Sequence, residues 1–577
     1  MLVKILRNYL NPYRTLIYLT LILLLIQSIA NLYLPNLNAD LINNGVIKGN
    51  VGYIWRVGAI MLAASALIMG ASVWIAYLAS KIAMSFGRDL RGGVFNAVEQ
   101  FSARELNKFG APSLITRNTN DVQQVQMVLF MGLTMMVAAP ITGVGAVVMA
   151  LRTNLKLSGL LLFVVPVMGL MIYLLLRRIV PLFRVMQIKI DRINLVLREQ
   201  ISGIRVIRAF VKTKFEEQRF AETNEDLMFT TLSVTRTFAV MFPALMLIMN
   251  LSSVAVIWFG GKLVDNGSMP IGNLTAFLAY IMQILGSVMM AIMMSLMIPR
   301  AAASAERIQE VLDTESSVID PAAPKLPEKR TGVIEFHEVQ FRYPGAEQSV
   351  LEGISFTSKP GEITAIVGST GSGKSTLINL IPRFIDVTSG VITIDGLDIR
   401  EQSLDMIWSD IGLVPQRAFL FGGTVADNLR YGDLTASDEK LWAALEIAQA
   451  RQFVEDLPDK LQAQVAQGGT NFSGGQRQRL SIARAIVRRP EIYLFDDSFS
   501  ALDYTTDAKL RAALLSETKD CTMIVVAQRI STVLHADQII VLDYGKIVGK
   551  GNHQELMTDS PVYREIVLSQ LSPDEAA

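Results

Sequence analysis

Residues 368–376 read GSTGSGKST, preceded by the apolar run ITAIV at 363–367 and followed by an apolar-periodic stretch to Ile381. The spacing G-x-x-x-x-G-K-[ST] binds phosphate only between a strand and a helix, and both flanks meet that requirement. Gly368, Gly371 and Gly373 allow successive backbone N–H groups to turn inward around a nucleotide's phosphates, and the helix start adds its positive end. Ser369, Thr370, Ser372 and Thr376 complete the loop. Lys374 is expected to reach the β- and γ-phosphates of ATP, and Ser375 to hold Mg²⁺. The alternative, a Gly/Ser turn with a surface lysine, does not account for the agreement of spacing and flanks.

The chain has 577 residues, 51% hydrophobic and 18% charged, an average over two unlike parts, because the apolar excess is all N-terminal. With 53 basic and 52 acidic side chains, the balance gives no reason to expect nucleic acid as a partner. A single cysteine, Cys521, cannot form an internal disulfide, and its apolar neighbours mark it as a core thiol. No cleavable leader is expected, since the first apolar run leads into Pro35 and an Asn-rich stretch.

Residues 2–13 have apolar positions at helical spacing, with Lys4 and Arg7 opposite, which suits a helix on the membrane surface or a soluble cap. Six stretches then follow, at 15–35, 57–79, 125–151, 155–176, 237–261 and 273–299. Apart from Lys156 none carries a charge, and each reaches the ~20 residues that a spanning helix needs. Pro140, Pro166 and Pro243 lie inside spans, where neighbouring helices can satisfy the freed carbonyls. The connections 80–124 and 177–236 are rich in Lys and Arg, which assigns them, and both termini, to the cytoplasm. Their length and apolar spacing predict that the spans continue outward as helical hairpins, whose far ends, 110–117 and 212–219, are either short transverse helices or exposed tips with solvated charges. Met282, Met289, Met290, Met293, Met294 and Met297 crowd the last span, as helix packing or as a cavity for varied apolar guests. Asn250, Ser252, Ser253 and Gln283 are polar candidates for a substrate path, equally explained as bonds between helices.

Three prolines within 316–329 mark a linker, and strands at 333–339, 363–367, 391–394, 411–414, 492–495, 522–526 and 539–542 alternate with helical patterns, as in an α/β sheet domain. Tyr343 is placed to stack on an adenine ring, or is an exposed turn aromatic. IYLFD at 492–496 ends an apolar strand in a carboxylate, so Asp496 is expected beside the metal. NFSGGQ at 471–476 opens a helix and offers a second anion-binding start.

Taken together, GSTGSGKST, FSGGQRQRLSIARA, IYLFDDSFSALD, the Gln416 turn in LVPQ and Tyr343 resemble the nucleotide-binding domain of ABC transporters. Six preceding spans with two long cytoplasmic hairpins resemble the exporter-type half-transporter. The resemblance implies an α-helical six-span membrane domain with long cytoplasmic hairpins over 1–312, a linker over 313–331, and an α/β P-loop ATPase domain over 332–577. It also implies head-to-tail pairing, in which Phe472, Ser473, Gly474, Gly475 and Gln476 meet the ATP on a partner's loop. Gln416 would then sense Mg²⁺ and touch the transverse helices, and Ser500, Ala501, Leu502 and Asp503 would cross the interface.

Two departures carry the functional expectation. The family's catalytic Glu is replaced by Asp497, one methylene shorter and poorly placed to polarise the attacking water. The family's switch histidine is replaced by Gln528 within VVAQRIST, and the only histidines are His337, His535 and His553. In addition, the family's cross-interface TEVGE-like segment reads AQVAQ, with Gln467 for its Glu. An identical pair would carry two poor sites, so a partner half-transporter with an intact Glu and His is expected. The expected activity is ATP-driven export of small lipophilic or amphipathic compounds across a cell membrane, bacterial and inner. A lipid flippase, an importer on the same fold and a nucleotide-sensing regulatory subunit are the alternatives.

Overall fold

A computed structural model describes residues 1–571; the expected ATPase domain extends over 572–577, which lie outside the described residues. Two compact units are present: Met1–Ala97 with Pro112–Thr314, and Val98–Ala111 with Glu315–Ala577.

The first unit holds six helical segments long and apolar enough to cross a membrane: Leu2–Val46, Val51–Glu99, Ala111–Thr153, Leu155–Ser202, Thr213–Asp265 and Ile271–Leu312. All six exceed a bilayer's needs, because the apolar spacing of the spans runs on into the charged connections, in the fourth segment through Pro181. Pro35 does not end the first span; its helix continues to Asp40. Small side chains allow close helix approach where Ala146 and Ala150, both fully buried, share a core with Phe277 and Tyr280 of the sixth helix. Tyr280 is also fully buried, and its hydroxyl donates to the Leu32 carbonyl at 3.1 Å.

Toward its charged end the sixth helix is tied to the third. A π turn, Arg117–Asp121, turns Asp121 inward, where Arg307 Nε (2.8 Å) and Ser304 Oγ (2.9 Å) donate to it. Arg117 adds bonds to Glu310 (2.8 Å) and the Arg307 carbonyl (2.7 Å).

The turn regions differ from the sequence expectation. The second short helix is Ile204–Ala209, not 212–219. Phe210 and Val211 break the chain after it, Val211 at φ +54°, and Lys212 caps the long helix Thr213–Asp265. In the first connection Ala111–Thr116 is helical as expected, but an unexpected helix, Ala103–Phe109, precedes it. That helix starts on a capping box in which Ser102 and Glu105 exchange hydrogen bonds.

In the second unit, residues 334–551 supply twelve strands: β1 (Ile334–Phe341), β2 (Leu351–Ser358), β3 (Ile363–Gly368), β4 (Ser389–Ile394), β5 (Leu397–Asp398), β6 (Ile411–Val414), β7 (Gly423–Thr424), β8 (Gln464–Val465), β9 (Ile492–Asp496), β10 (Thr522–Val526), β11 (Gln538–Asp543) and β12 (Lys546–Gly551). The larger sheet runs β12-β11-β3-β10-β9-β6, parallel except for the β12 edge. Alternate residues feed two cores: Ala365, Val367, Phe495 and Val525 join one, while Ile366, Leu494, Ile524 and Val526 join the other. Burial on both faces explains why these strands read as continuous apolar runs. A smaller antiparallel sheet has the order β2-β1-β4-β5.

Candidate functional site

Parallel pairing sends the carboxyl ends of β3, β10, β9 and β6 to one edge, the place where open α/β sheets bind ligands. Across that edge lie, in order, the glycine loop after β3, Gln528 beyond β10, Asp496 and Asp497 at the end of β9, and Gln416 beyond β6. Residues far apart in the chain thus reach one cleft.

The loop has the conformation its glycines predict. Gly368, Gly371 and Gly373 have φ of +153°, +86° and +99°. A Cβ at Gly368 would lie 2.1 Å from the Leu542 carbonyl oxygen, so only glycine lets β3 turn here against β11. Lys374 opens the helix Lys374–Leu380, and its Nζ arches back to donate to the carbonyls of Gly368 (2.8 Å) and Ser369 (2.7 Å). Its third donor faces Ser372 Oγ at 3.5 Å, a long contact that an anion can replace. Burial lowers the pKa of Lys374, against the opposing pull of Asp497 and Asp496.

Asp496 is buried at the end of β9 and accepts from Ser375 Oγ at 3.4 Å. Burial is the main cause of its raised pKa, the Ser375 bond and Lys374 lower it, and neighbouring Asp497 raises it further. A hydroxyl, a carboxylate and the nearby Gln416 amide form a set of hard oxygen donors, the kind that fits Mg²⁺. Asp497 follows in the left-handed region, at φ +46°, a conformation that Asp tolerates better than longer side chains. Gln416 Nε2 donates to its carboxylate at 3.3 Å. Gln528 is exposed.

Tyr343 is partly exposed; its ring meets Phe341 edge-on at 4.8 Å, and its hydroxyl pairs with Thr376 at 3.1 Å. Ser473 caps the helix Gly474–Arg488, its Oγ accepting from Gln476 N (3.3 Å) while Gln476 Oε1 accepts from Ser473 N (2.9 Å). Phe472 is buried, and its carbonyl accepts from Arg477 at 2.7 Å. A Cβ on Gly475 would stand 3.2 Å from the Ala501 carbonyl, which sets the helix start against residues 500–503. Ser500 Oγ donates to the Asp497 carbonyl at 2.9 Å, and Asp503 caps the helix Tyr504–Glu517.

One contact was illegible in the sequence. Gln570 donates to the Gln528 carbonyl at 2.9 Å and accepts from Ile530 N at 3.0 Å, bracing the segment beyond β10. A glutamine just past a terminal helix carries no pattern that foretells this. In the membrane unit, Ser252 and Ser253 bond back to their own helix and Gln283 donates to the Asn31 carbonyl, so of the polar path candidates Asn250 alone has no such partner among the described residues.

Family models match both parts of the chain, an ABC transporter transmembrane region over residues 17–288 and an ABC transporter domain over 351–500. An uncharacterised ABC transporter ATP-binding protein of Mycobacterium tuberculosis is 49% identical over 99% of this chain and 98% of its own length. The chain belongs to the ABC transporter family. It is a multi-pass membrane protein whose second unit is the ATP-binding domain that powers transport in such proteins. This ABC transporter is also 30% identical, over 98% of both chains, to a Bacillus subtilis protein provisionally named a multidrug export ATP-binding/permease protein. Its fold matches that of a bacterial Atm1-family ABC exporter solved with ATP bound, at a TM-score of 0.80 and 24% identity over 96% of this chain and 97% of that one.

Proposed function

We propose that this ABC transporter is one half of a heterodimeric exporter of lipophilic or amphipathic compounds, and that its own ATP site hydrolyses slowly. The carrying observation is the chemistry at one sheet edge, where Asp497 and Gln528 stand beside Lys374 in place of the Glu and His that the resemblance implies. Lys374, Ser375 and the loop amides bind and orient the phosphates of ATP, and Tyr343 takes the adenine. Mg²⁺, held by Ser375 and Asp496 with Gln416 nearby, would neutralise charge on the β- and γ-phosphates. Asp497 is too short to hold the attacking water in line. Gln528 has no proton to exchange at neutral pH. The FSGGQ helix start is intact and capped, which suits it to complete the partner's loop.

ATP closing the two nucleotide domains shifts the population of membrane states, and hydrolysis at the partner's site reverses the shift. Export of lipophilic cargo is supported by the name of the Bacillus relative and by uncharged spans lined with methionine. With the Lys/Arg-rich connections inside, both termini and the ATPase domain face the cytoplasm, across a bacterial inner membrane. Affinity purification from the native membrane tests the assembly. The expected result is a second half-transporter with Glu after its metal-site Asp; recovery of this chain only with itself would overturn the reading.

A further inference from the structure

The fourth and fifth membrane helices, Leu155–Ser202 and Thr213–Asp265, form an antiparallel pair with two unlike charged zones. In the outer zone two ion pairs bridge the helices, Lys189 with Asp226 and Arg219 with Glu199 at 2.6 Å. Nearer the apolar stretches the pairing stops. Arg177 and Arg178 are the first charges after the uncharged residues 157–176, and Arg236 is the last before the uncharged residues 237–261.

These three arginines meet in one cavity of about 650 Å³, whose apolar wall includes Leu182 and Val185. All three are exposed, no carboxylate lines the cavity, and among the described residues none of them has an ion-pair partner. On the membrane side the same helices expose Leu170, Leu174, Val240 and Leu247. Three unpaired guanidinium groups beside an apolar surface match a ligand with an anionic head and acyl chains.

We propose that this cavity binds the phosphodiester headgroup of an anionic membrane phospholipid where the two helices leave the bilayer, its chains lying along their apolar faces. Guanidinium donates in a fork that fits phosphate oxygens, and basic residues at a membrane boundary attract anionic lipid. Ser233 and Thr237 also line the cavity, but each donates to its own helix, Ser233 to the Phe229 carbonyl (2.9 Å) and Thr237 to the Ser233 carbonyl (2.8 Å). Recognition therefore falls to the arginines. The bound lipid would hold the two helices together at the bilayer boundary without being the cargo. The proposal does not depend on the slow-site reading.

In the test, delipidated full-length chain in a zwitterionic detergent is titrated with phosphatidylglycerol, phosphatidylcholine or water-soluble glycerol phosphate. Bound lipid is counted by native mass spectrometry and thermal unfolding is followed in parallel. Phosphatidylglycerol is expected to bind and to raise the unfolding temperature, and the other two are not. Each of Arg177→Gln, Arg178→Gln and Arg236→Gln should weaken it about fivefold, and the triple variant roughly a hundredfold. The control Lys189→Gln/Arg219→Gln, which removes two basic charges from the ion-paired zone, should bind within about twofold of the parent. If the triple variant does not fold, the single variants decide. Equal binding of phosphatidylcholine, full competition by glycerol phosphate, an equal loss in the control, or single variants that bind like the parent would each overturn the proposal.

Discussion

Restoring Asp497→Glu together with Gln528→His tests the reading of the ATP site most directly. Glu adds one carbon–carbon bond, about 1.5 Å of reach. A misplacement of about 1 Å costs roughly a hundredfold in rate, and a positioned general base contributes about 10²–10⁴. The bond from Gln416 to Asp497 is long, at 3.3 Å, so releasing it opposes the gain little. The double variant should therefore raise kcat about a hundredfold, equivalent to ~2.7 kcal/mol in the barrier. Each single change should give much less, because the two groups act on one reaction. The backbone adds a second readout. At φ +46° a Glu is less tolerated than Asp by about 1 kcal/mol, which should lower the Tm of the ATPase domain by about 2–4 °C. The assay is phosphate release by the purified chain with Mg-ATP, with Lys374→Ala as the blank. Turnover by the unaltered chain alone at about 1 s⁻¹ or faster, abolished by Lys374→Ala, would refute the reasoning.

Other outcomes follow from the same geometry. Asp496→Asn should raise the Tm of the nucleotide-free protein at neutral pH while weakening Mg-ATP binding, measured by calorimetry. The sign follows from the raised pKa: burial costs nothing below the ordinary carboxylate range, and the cost grows as pH rises through the raised value. Gln570→Ala should cost about 1–2 kcal/mol, seen in denaturant unfolding, and should speed amide exchange at Ile530. Ser473→Ala removes a helix cap worth ~1 kcal/mol, and in the proposed assembly it should depress hydrolysis at the partner's loop more than nucleotide binding to this chain. Asp121→Ala should destabilise the membrane unit by roughly 1–3 kcal/mol, read by thermal unfolding in detergent, since buried Ser304 and half-exposed Arg307 lose the carboxylate they share.

Where one residue pattern served one structural role, the sequence was readable. The glycine loop, the uncharged spans and the doubly buried strands each have a period or spacing with a single physical cause. Five strands are not legible in the sequence: β5, β7 and β8 span two residues each, too short to show a period, and β2 and β12 lack a clean one. β2 is interrupted by Gly353 at φ +64°, and β12, KIVGKG, is a glycine- and lysine-rich edge strand whose residues are at most half-buried. The second transverse helix was misplaced because Ile204–Ala209 continues an apolar pattern, while the break depends on backbone angles at Phe210 and Val211. At the site, residue types were legible but partners were not. Nothing local to Tyr343 foretells Thr376, and nothing near Gln528 foretells Gln570.

The strand order also sets a timetable for synthesis. β3, which carries the loop, begins at residue 363, yet both of its neighbours, β10 at 522 and β11 at 538, are translated far later. At about 5–20 residues per second, β3 waits on the order of ten seconds or more with both apolar edges unpaired. A ribosome stalled between those points would expose a sticky, half-made sheet already tethered to the membrane, a natural substrate for chaperones and quality-control proteases.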